Sequence, residues 1–183
     1  DEILKLDLKS NYSFLNQNYN NELDNNILNL KLDKNRSNIS DVEIFLKTKK
    51  NNINTREFKK YFNVQESLVK DQIINLDSNF LINFSIDDKF NINKLDINSD
   101  LSFDNLDINF KSNLVKKYLE NFENKISIKD PNVSFQYFND IISFQLDGKY
   151  SLNNKKDNFF IKFEGNQNDF ELYSLLDLNK NIL

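Results

Sequence analysis

The chain has 183 residues and a formal net charge of −4, and it contains no Cys, His, Met or Trp. Without Cys and His it lacks the thiolate and imidazole groups that most nucleophilic, general-base and zinc sites use. Its Lys and Arg residues form no basic stripe, so we do not expect a nucleic-acid partner.

The length is enough for one domain with its own core. With two Gly and one Pro, the chain offers no Gly- or Pro-rich linker that would mark a domain boundary. We therefore expect residues 1–183 to form a single β-meander domain. Because Met is missing even at position 1, we expect this domain to be a segment of a longer protein. No apolar run reaches the roughly 18 residues of a membrane span, so any membrane anchor is expected outside this segment.

Alternating apolar residues predict strands in the first third of the chain. A first strand starts at Leu4 and continues through Tyr12 and Phe14, and polar residues 16–26 form a loop. Leu28–Leu32 is the next strand and is closed by residues 33–35. Val42–Leu46 forms a third, which the Asn-rich stretch 51–54 ends.

Two stretches follow a helical period instead. Phe58, Tyr61 and Phe62 stand at positions i, i+3 and i+4, which predicts a helix over residues 55–73 with Thr55 as its N-cap. A second short helix is predicted after Ser112, on the apolar residues Leu114, Val115, Tyr118, Leu119 and Phe122.

The clearest strand pattern runs from Asn79 to Phe110, where apolar and polar residues alternate almost without a break. The apolar residues change from even to odd positions between Ile92 and Leu95, which predicts a bulge or tight turn near Asn93–Lys94. Asp87–Asp88 and Asp104–Asn105 are typical of hairpin turns.

The remaining residues continue the alternation in strands separated by short polar turns. We predict turns at Asp130–Pro131–Asn132, Asn153–Lys156 and Gly165–Asn168, and strands over 133–137, 142–152, 159–163 and 170–178. The whole chain thus predicts about ten strands in an antiparallel meander.

Each predicted strand has one apolar and one polar face, and two arrangements satisfy this pattern. In the first, the sheet closes into a β-sandwich or barrel and buries the apolar face as an ordinary core. In the second, an extended, twisted meander curls into a groove whose apolar floor holds lipid. Both are all-β folds with two short helices.

Acidic residues are numerous, but their positions do not favour a catalytic or metal site. Asp87, Asp88, Asp96, Asp100, Asp104 and Asp107 mostly occupy turns or the polar positions of strands. A glycosidase needs two carboxylates facing one cleft, and a calcium loop needs regularly spaced oxygen ligands, neither of which this pattern provides. We expect no catalytic residues, no metal and no cofactor.

Three segments resemble the AsmA-like proteins of the YhdP type. The spacing of apolar residues in NINKLDINSDLSFDNLDINF (91–110) is similar to that in their strands. TREFKKYF (55–62) and NLVKKYLENF (113–122) resemble their short interrupting helices. LDGKYSLNNKKDNFFIKFEGNQNDFELYSLLDLNKN (146–181) resembles their hairpins, in which strands alternate with polar turns.

The resemblance implies a non-enzymatic segment of a periplasmic protein that is anchored in the inner membrane by another part of the chain. In that family a β-groove is thought to shield phospholipid acyl chains between the inner and outer membranes. The alternative function is that of a structural or adhesive β-sandwich module of the cell envelope. In the lipid hypothesis the groove lining comprises Phe80, Ile82, Phe84, Ile92, Leu95, Ile97, Phe103, Ile108, Phe144, Leu146, Ile161 and Phe163.

Overall fold

A computed structural model of the chain describes residues 4–11, 26–34, 39–56, 59, 68–118, 122–152 and 155–178. Nearly all regular structure in these residues is β-strand, and α1 is a helix over Asn113–Tyr118. The strands are β1 (Leu4–Asn11), β2 (Asn26–Lys34), β3 (Ser40–Asn54), β4 (Ile73–Ile86), β5 (Ile92–Phe103), β6 (Asn105–Asn109), β7 (Lys125–Phe138), β8 (Ile141–Ser151), β9 (Lys156–Gly165) and β10 (Phe170–Leu176).

The ten strands form one antiparallel sheet whose spatial order follows the chain. The order is β1-β2-β3-β4-β5-β7-β8-β9-β10, and β6 pairs with β7 beside the end of β5. The predicted antiparallel meander is confirmed. The closed barrel or two-sheet sandwich is wrong for the described residues, because they form one sheet with β1 and β10 at its two edges.

Three β-bulges keep the apolar residues on one face along the length of the sheet. The register shifts between Thr48 and Asn51 in β3, between Lys129 and Asn132 in β7, and in β5 opposite Phe84. One extra residue reverses the alternation, so the apolar positions change parity there. The bulge in β5 confirms the prediction near Asn93–Lys94. At each bulge one residue has a left-handed backbone, namely Lys50, Lys94 and Asp130, with φ of 50°, 54° and 47°.

Two predicted interruptions are in fact these bulges. Residues 51–54 were expected to end a strand, but they continue β3 as far as Asn54. Asp130–Pro131–Asn132 was expected to be a turn, but it lies inside β7, with Pro131 fully buried. Proline lacks a backbone N–H and is tolerated within a sheet at a bulge, where the ladder is already interrupted.

The hairpin predicted at Asp104–Asn105 is also wrong. Both β5 and β6 pair with β7 in one continuous direction, so Asp104 is a bend between collinear strands. Its backbone carbonyl accepts a hydrogen bond of 3.0 Å from the N–H of Asp130, across from the bulge in β7. A bend in β5–β6 therefore faces an irregularity in its partner strand.

The helix predicted over 55–73 is shorter than expected. Thr55, Arg56 and Lys59 are helical, but Val69 forms a β-bridge with Ile108, and β4 begins at Ile73. The side chain of Asn54, rather than that of Thr55, accepts the hydrogen bond from the N–H of Arg56 at 3.0 Å. The hydroxyl of Thr55 instead accepts from the N–H of Gln72, at 2.9 Å. Residues 57–58 and 60–67 lie outside the described residues.

Other predicted elements are confirmed where the structure describes them. The turn at Asp87–Asp88 joins β4 to β5, and the Asp87 carboxylate accepts hydrogen bonds from the backbone N–H groups of Lys89 and Asn91. The turn after Gly165 joins β9 to β10, and α1 follows Ser112. Tyr12, Phe14, residues 16–25 and the tip of the β8–β9 turn at Asn153–Asn154 lie outside the described residues.

The buried core lies at the end of the sheet that carries the helical segments. Ile53, Ile74 and Leu76 form a cluster on β3 and β4, against which Leu101 and Phe103 pack. Phe122, which follows α1 in the chain, is 3% exposed and makes an edge-to-face contact with Phe110 at 6.4 Å between ring centroids. These contacts bury apolar surface at this end of the sheet.

Asp107 joins β6 to β7 through a partly buried set of polar contacts. Its carboxylate accepts a hydrogen bond of 2.7 Å from the Ser127 hydroxyl and forms an ion pair of 2.8 Å with Lys125. Its backbone N–H donates to the side chain of Gln72 at 3.1 Å. Burial alone raises the pKa of the Asp107 carboxyl, but the hydrogen bonds from Lys125 and Ser127 outweigh burial and lower this pKa below its ordinary value.

The substitution Asp107→Asn is expected to lower the free energy of unfolding by about 1 kcal/mol near neutral pH, because it removes a charge-assisted hydrogen bond. A carboxyl with a depressed folded-state pKa stabilises the fold above its unfolded-state pKa of about 3.9. This contribution is lost as the pH falls through the folded-state pKa, so wild type and variant should converge in acid. Urea unfolding from neutral pH into acid measures the difference.

The variant Lys125→Met removes the cation and serves as the partner in a double-mutant cycle. It should reduce the same pH-dependent contribution, and the double variant should add little beyond either single change. A stability difference between wild type and Asp107→Asn that stays constant with pH would contradict this account.

Candidate functional site

The apolar face of the sheet is built from rows of side chains that cross the strands. Paired residues of neighbouring strands lie on the same face, about 5 Å apart, so a row of pairs makes a continuous strip. One row contains Leu8, Leu30, Ile44, Ile82, Ile97, Tyr137 and Ile142, and the next contains Leu28, Leu46, Phe80, Ser99, Phe135, Phe144, Phe163 and Leu172.

All twelve residues predicted to line the groove share this face. Ile82 and Ile97 are direct partners, as are Phe144 with Phe163 and Leu146 with Ile161. Eleven of the twelve are half-buried, and Ile92, near the β4–β5 turn, is 60% exposed. In a single-layered sheet, neighbouring side chains on the same face partly cover one another, which leaves each of them half-buried.

The face has a covered end and an open end. The covered end contains Ile53, Ile74 and Leu76, together with small polar residues such as Thr48 and Ser78 that are 3% and 5% exposed. Phe103 packs against this cluster, and Ile108 itself forms the β-bridge with Val69. The other ten predicted residues lie toward the hairpin turns.

The sequence-based set omitted residues that complete the same rows. Leu30, Ile44, Phe135 and Tyr137 occupy the apolar positions of β2, β3 and β7 and pair directly with residues of the set or with their neighbours. Their alternation was visible in the sequence. Their place beside Ile82 and Phe144 depends on register, which the alternation alone does not fix.

The opposite face is polar across the middle of the sheet. Asp77, Ser102, Asn132 and Asp147 form one cross-strand row, and Asn79, Asp100, Ser134 and Gln145 form the next. Short side chains leave shallow depressions along these rows. Asn132 donates to Asp147 at 3.1 Å, so part of this polar surface is internally bonded.

A depression of about 610 Å³ lies at the corner formed by β1–β4. Several of the charged side chains around it have polar partners. Lys31 contacts Glu43 at 2.5 Å, and Lys5 contacts Asp33 at 3.0 Å. Asp41 accepts a hydrogen bond of 2.9 Å from the Ser85 hydroxyl. These pairings offer no convergent set of charges for a small ligand, so we regard the apolar face as the better candidate site.

The two carboxylates that are buried among the described residues do not face a common cleft. Asp107 is 9% exposed and Asp157 is 4% exposed. Asp107 is paired with Ser127 on the polar face, whereas Asp157 is paired with Tyr150, which lies on the apolar face. The two carboxylates therefore point to opposite sides of the sheet. Among the described residues, no three acidic side chains lie close enough together to hold a metal ion.

Comparison with known protein families, curated proteins and solved structures found no match to this chain. In the part of the chain that the structure describes, no helix is both long enough and apolar enough to cross a bilayer. The geometry and chemistry of the apolar face are therefore the basis for assigning a function.

Proposed function

We propose that this chain is a non-catalytic lipid-binding segment whose apolar face shields phospholipid acyl chains. The observation that carries the proposal is the continuous apolar strip of a sheet that is not closed. Side chains such as Ile82, Ile97 and Phe144 stay half-buried in the open end of the face, and no second layer of described strands lies over them.

The energy of transfer supports lipid as the occupant. Moving a ~16-carbon acyl chain into water costs on the order of 12 kcal/mol, at ~0.8 kcal/mol per CH₂. Nine strands side by side extend about 40 Å at about 4.8 Å per strand, so the face offers an apolar surface along the whole width of the sheet. An alkyl chain has no polar group that requires a matching partner, which suits a face built from Ile, Leu and Phe.

We further propose that the sheet curves so that the apolar face lines a groove. Strand twist and β-bulges are the two features that bend an antiparallel sheet. The bulges at Lys50, Lys94 and Asp130 distribute such bends over β3, β5 and β7. In this proposal the groove lies in the periplasm, as part of an AsmA-like protein of the YhdP type that is anchored to the inner membrane outside this segment.

The alternative of a structural or adhesive sandwich module has less support. That function needs a sheet whose apolar face is closed on itself, whereas β1 and β10 are separate edges. A carbohydrate-active enzyme has no support either, because Asp107 and Asp157 face opposite sides of the sheet.

Photocrosslinking tests the proposal with a matched pair of phenylalanines. Phe84 lies on the apolar face of β4, and Phe45 lies on the opposite face of β3. Both are half-buried, so benzoylphenylalanine should be tolerated equally at either position. We expect phospholipid to copurify with the protein in native mass spectrometry, and to crosslink at position 84 but not at position 45. Absence of bound phospholipid together with no crosslink at position 84 would refute lipid binding.

A further inference from the structure

Strand β10 forms an edge of the sheet without the features that usually protect edges. Natural edge strands avoid pairing with other chains through charges, proline or bulges. All seven residues of β10 are exposed, and Glu171 is the only charged residue among them. The register with β9 is regular from Phe170 to Leu176, so no bulge turns this edge away from a partner.

Both faces of β10 are apolar, unlike those of β5 at the centre of the sheet. Phe170 and Leu172 lie on the apolar face and are 63% and 65% exposed. Tyr173 and Leu175 lie on the opposite face, where Tyr173 contacts the ring of Phe160 at 5.8 Å between centroids. Strand β5 carries Asp96, Asn98, Asp100 and Ser102 on that face. Apolar residues on both faces are typical of a strand that is covered from both sides.

Backbone hydrogen bonds of the neighbouring turn show which groups of β10 point outward. The carbonyl of Asp169 accepts from the N–H of Asn166 at 2.8 Å, and the N–H of Asp177 donates to the carbonyl of Asn158 at 3.0 Å. Since residues alternate in antiparallel ladders, the odd-numbered residues between them bond to β9. The N–H and C=O groups of the even-numbered residues 170–176 therefore point away from the sheet, where none of the described strands pairs with them.

We propose that two copies of this chain associate through their β10 strands, antiparallel and about a twofold axis perpendicular to the sheet. In the register that overlaps all seven residues, Tyr173 lies opposite the partner's Tyr173 and Glu171 lies opposite the partner's Leu175. The two Glu171 carboxylates are then about 13 Å apart along the strands, at ~3.3 Å per residue. This axis places both apolar faces on the same side of one continuous sheet.

The opposite edge explains why the association stops at a dimer. β1 carries exposed Lys5, Asp7 and Lys9 at alternate positions, which is a pattern that discourages strand addition. An isologous contact through β10 is self-complementary and closed, whereas pairing of β10 with β1 would continue into a filament.

Sedimentation velocity without lipid or detergent tests the dimer independently of lipid binding. We expect the weight-average mass to rise with protein concentration and to level off at twice the monomer mass. Leu172→Lys places a charge in the contact and should weaken association at least tenfold, whereas the same change on the other edge, Leu6→Lys, should not. Ser174→Pro removes an outward N–H and should also give monomers, with circular dichroism confirming that the sheet is retained.

Cysteine crosslinking tests the register, because the natural chain has no cysteine. Tyr173 would form a pair without hydrogen bonds across the contact, with Cα atoms about 4.5 Å apart, which suits a disulfide. Oxidation should therefore link the Tyr173→Cys variant to itself. In a mixture of the two variants, Phe170→Cys should form a disulfide with Leu176→Cys. Phe170→Cys alone should form a disulfide with itself much less. A wild-type monomer at every concentration, or growth beyond dimers without the Tyr173→Cys crosslink, would overturn the proposal.

Discussion

Replacement of Leu76 by alanine is expected to lower the free energy of unfolding by about 3 kcal/mol, because Leu→Ala changes at buried sites leave a cavity as well as removing apolar contact. Leu76 is 5% exposed and packs with Ile53 and Ile74 at the covered end of the apolar face. Few apolar side chains of the described strands are this well buried, so this cluster carries a large share of the packing. The loss would be a substantial part of a typical stability of roughly 5–15 kcal/mol.

Urea unfolding followed by circular dichroism and tyrosine fluorescence measures this effect. Leu6→Ala is the matched control, since Leu6 lies on the same face but is 42% exposed on β1. Its effect should stay below about 0.5 kcal/mol. Equal effects of the two substitutions would mean that the Leu76 cluster is not the core of the sheet.

Gly165→Ala is expected to cost about 3 kcal/mol, since overpacking against backbone forces the chain itself to move. A methyl group at this position would overlap the carbonyl oxygen of Asp169 and the Cα of Phe170, and it would lie 2.6 Å from the Cβ of Phe170. Phe170 is the direct cross-strand partner of Gly165. The change should therefore displace the β9–β10 turn and loosen the pairing of β10.

Gly148→Ala provides the comparison, because its methyl group would meet less severe contacts. The nearest atoms would be the Cα of Pro131 at 3.0 Å, and the carbonyl oxygen of Lys129 and a ring carbon of Phe159, both at 3.2 Å. Gly148 also has a φ of 159°, a backbone conformation that residues with a side chain rarely adopt, so we expect a loss of about 2 kcal/mol from backbone strain, measured as for Leu76→Ala. Hydrogen exchange should show faster exchange of β10 amides in Gly165→Ala alone. If Gly165→Ala left the exchange of the β10 amides unchanged, the steric account of Gly165 would be wrong.

The strands and the shared face were predictable because they depend on local alternation. A side chain's face follows from the parity of its position, and the change of parity between Ile92 and Leu95 located the bulge in β5. The same change occurs between Leu46 and Ile53 and between Ile128 and Val133, so the other two bulges carried the same signal. Asn-rich residues and an Asp-Pro pair were interpreted as strand breaks instead, because left-handed residues and proline occur in both turns and bulges.

Features that depend on distant partners were not predictable from the pattern. Asp104 looks locally like a turn residue, and only the pairing of both β5 and β6 with β7 shows that the chain does not reverse direction there. The covered end of the apolar face was missed for a similar reason. Phe103 has the same alternation as Ile97, but it meets Ile74 and Leu76 through the register of β4 and β5.

The order of the strands along the sheet has a consequence for how the chain folds. Because nearly every strand pairs with its neighbour in sequence, each strand added to the sheet needs to close only the connection to the strand before it, which costs little conformational entropy. Each hairpin can form early and then recruit the next, as in repeat proteins, where each unit contacts only adjacent units. Opening then begins at the outermost strands, and the central strands β3–β5, which include the Leu76 cluster, are the last to lose protection.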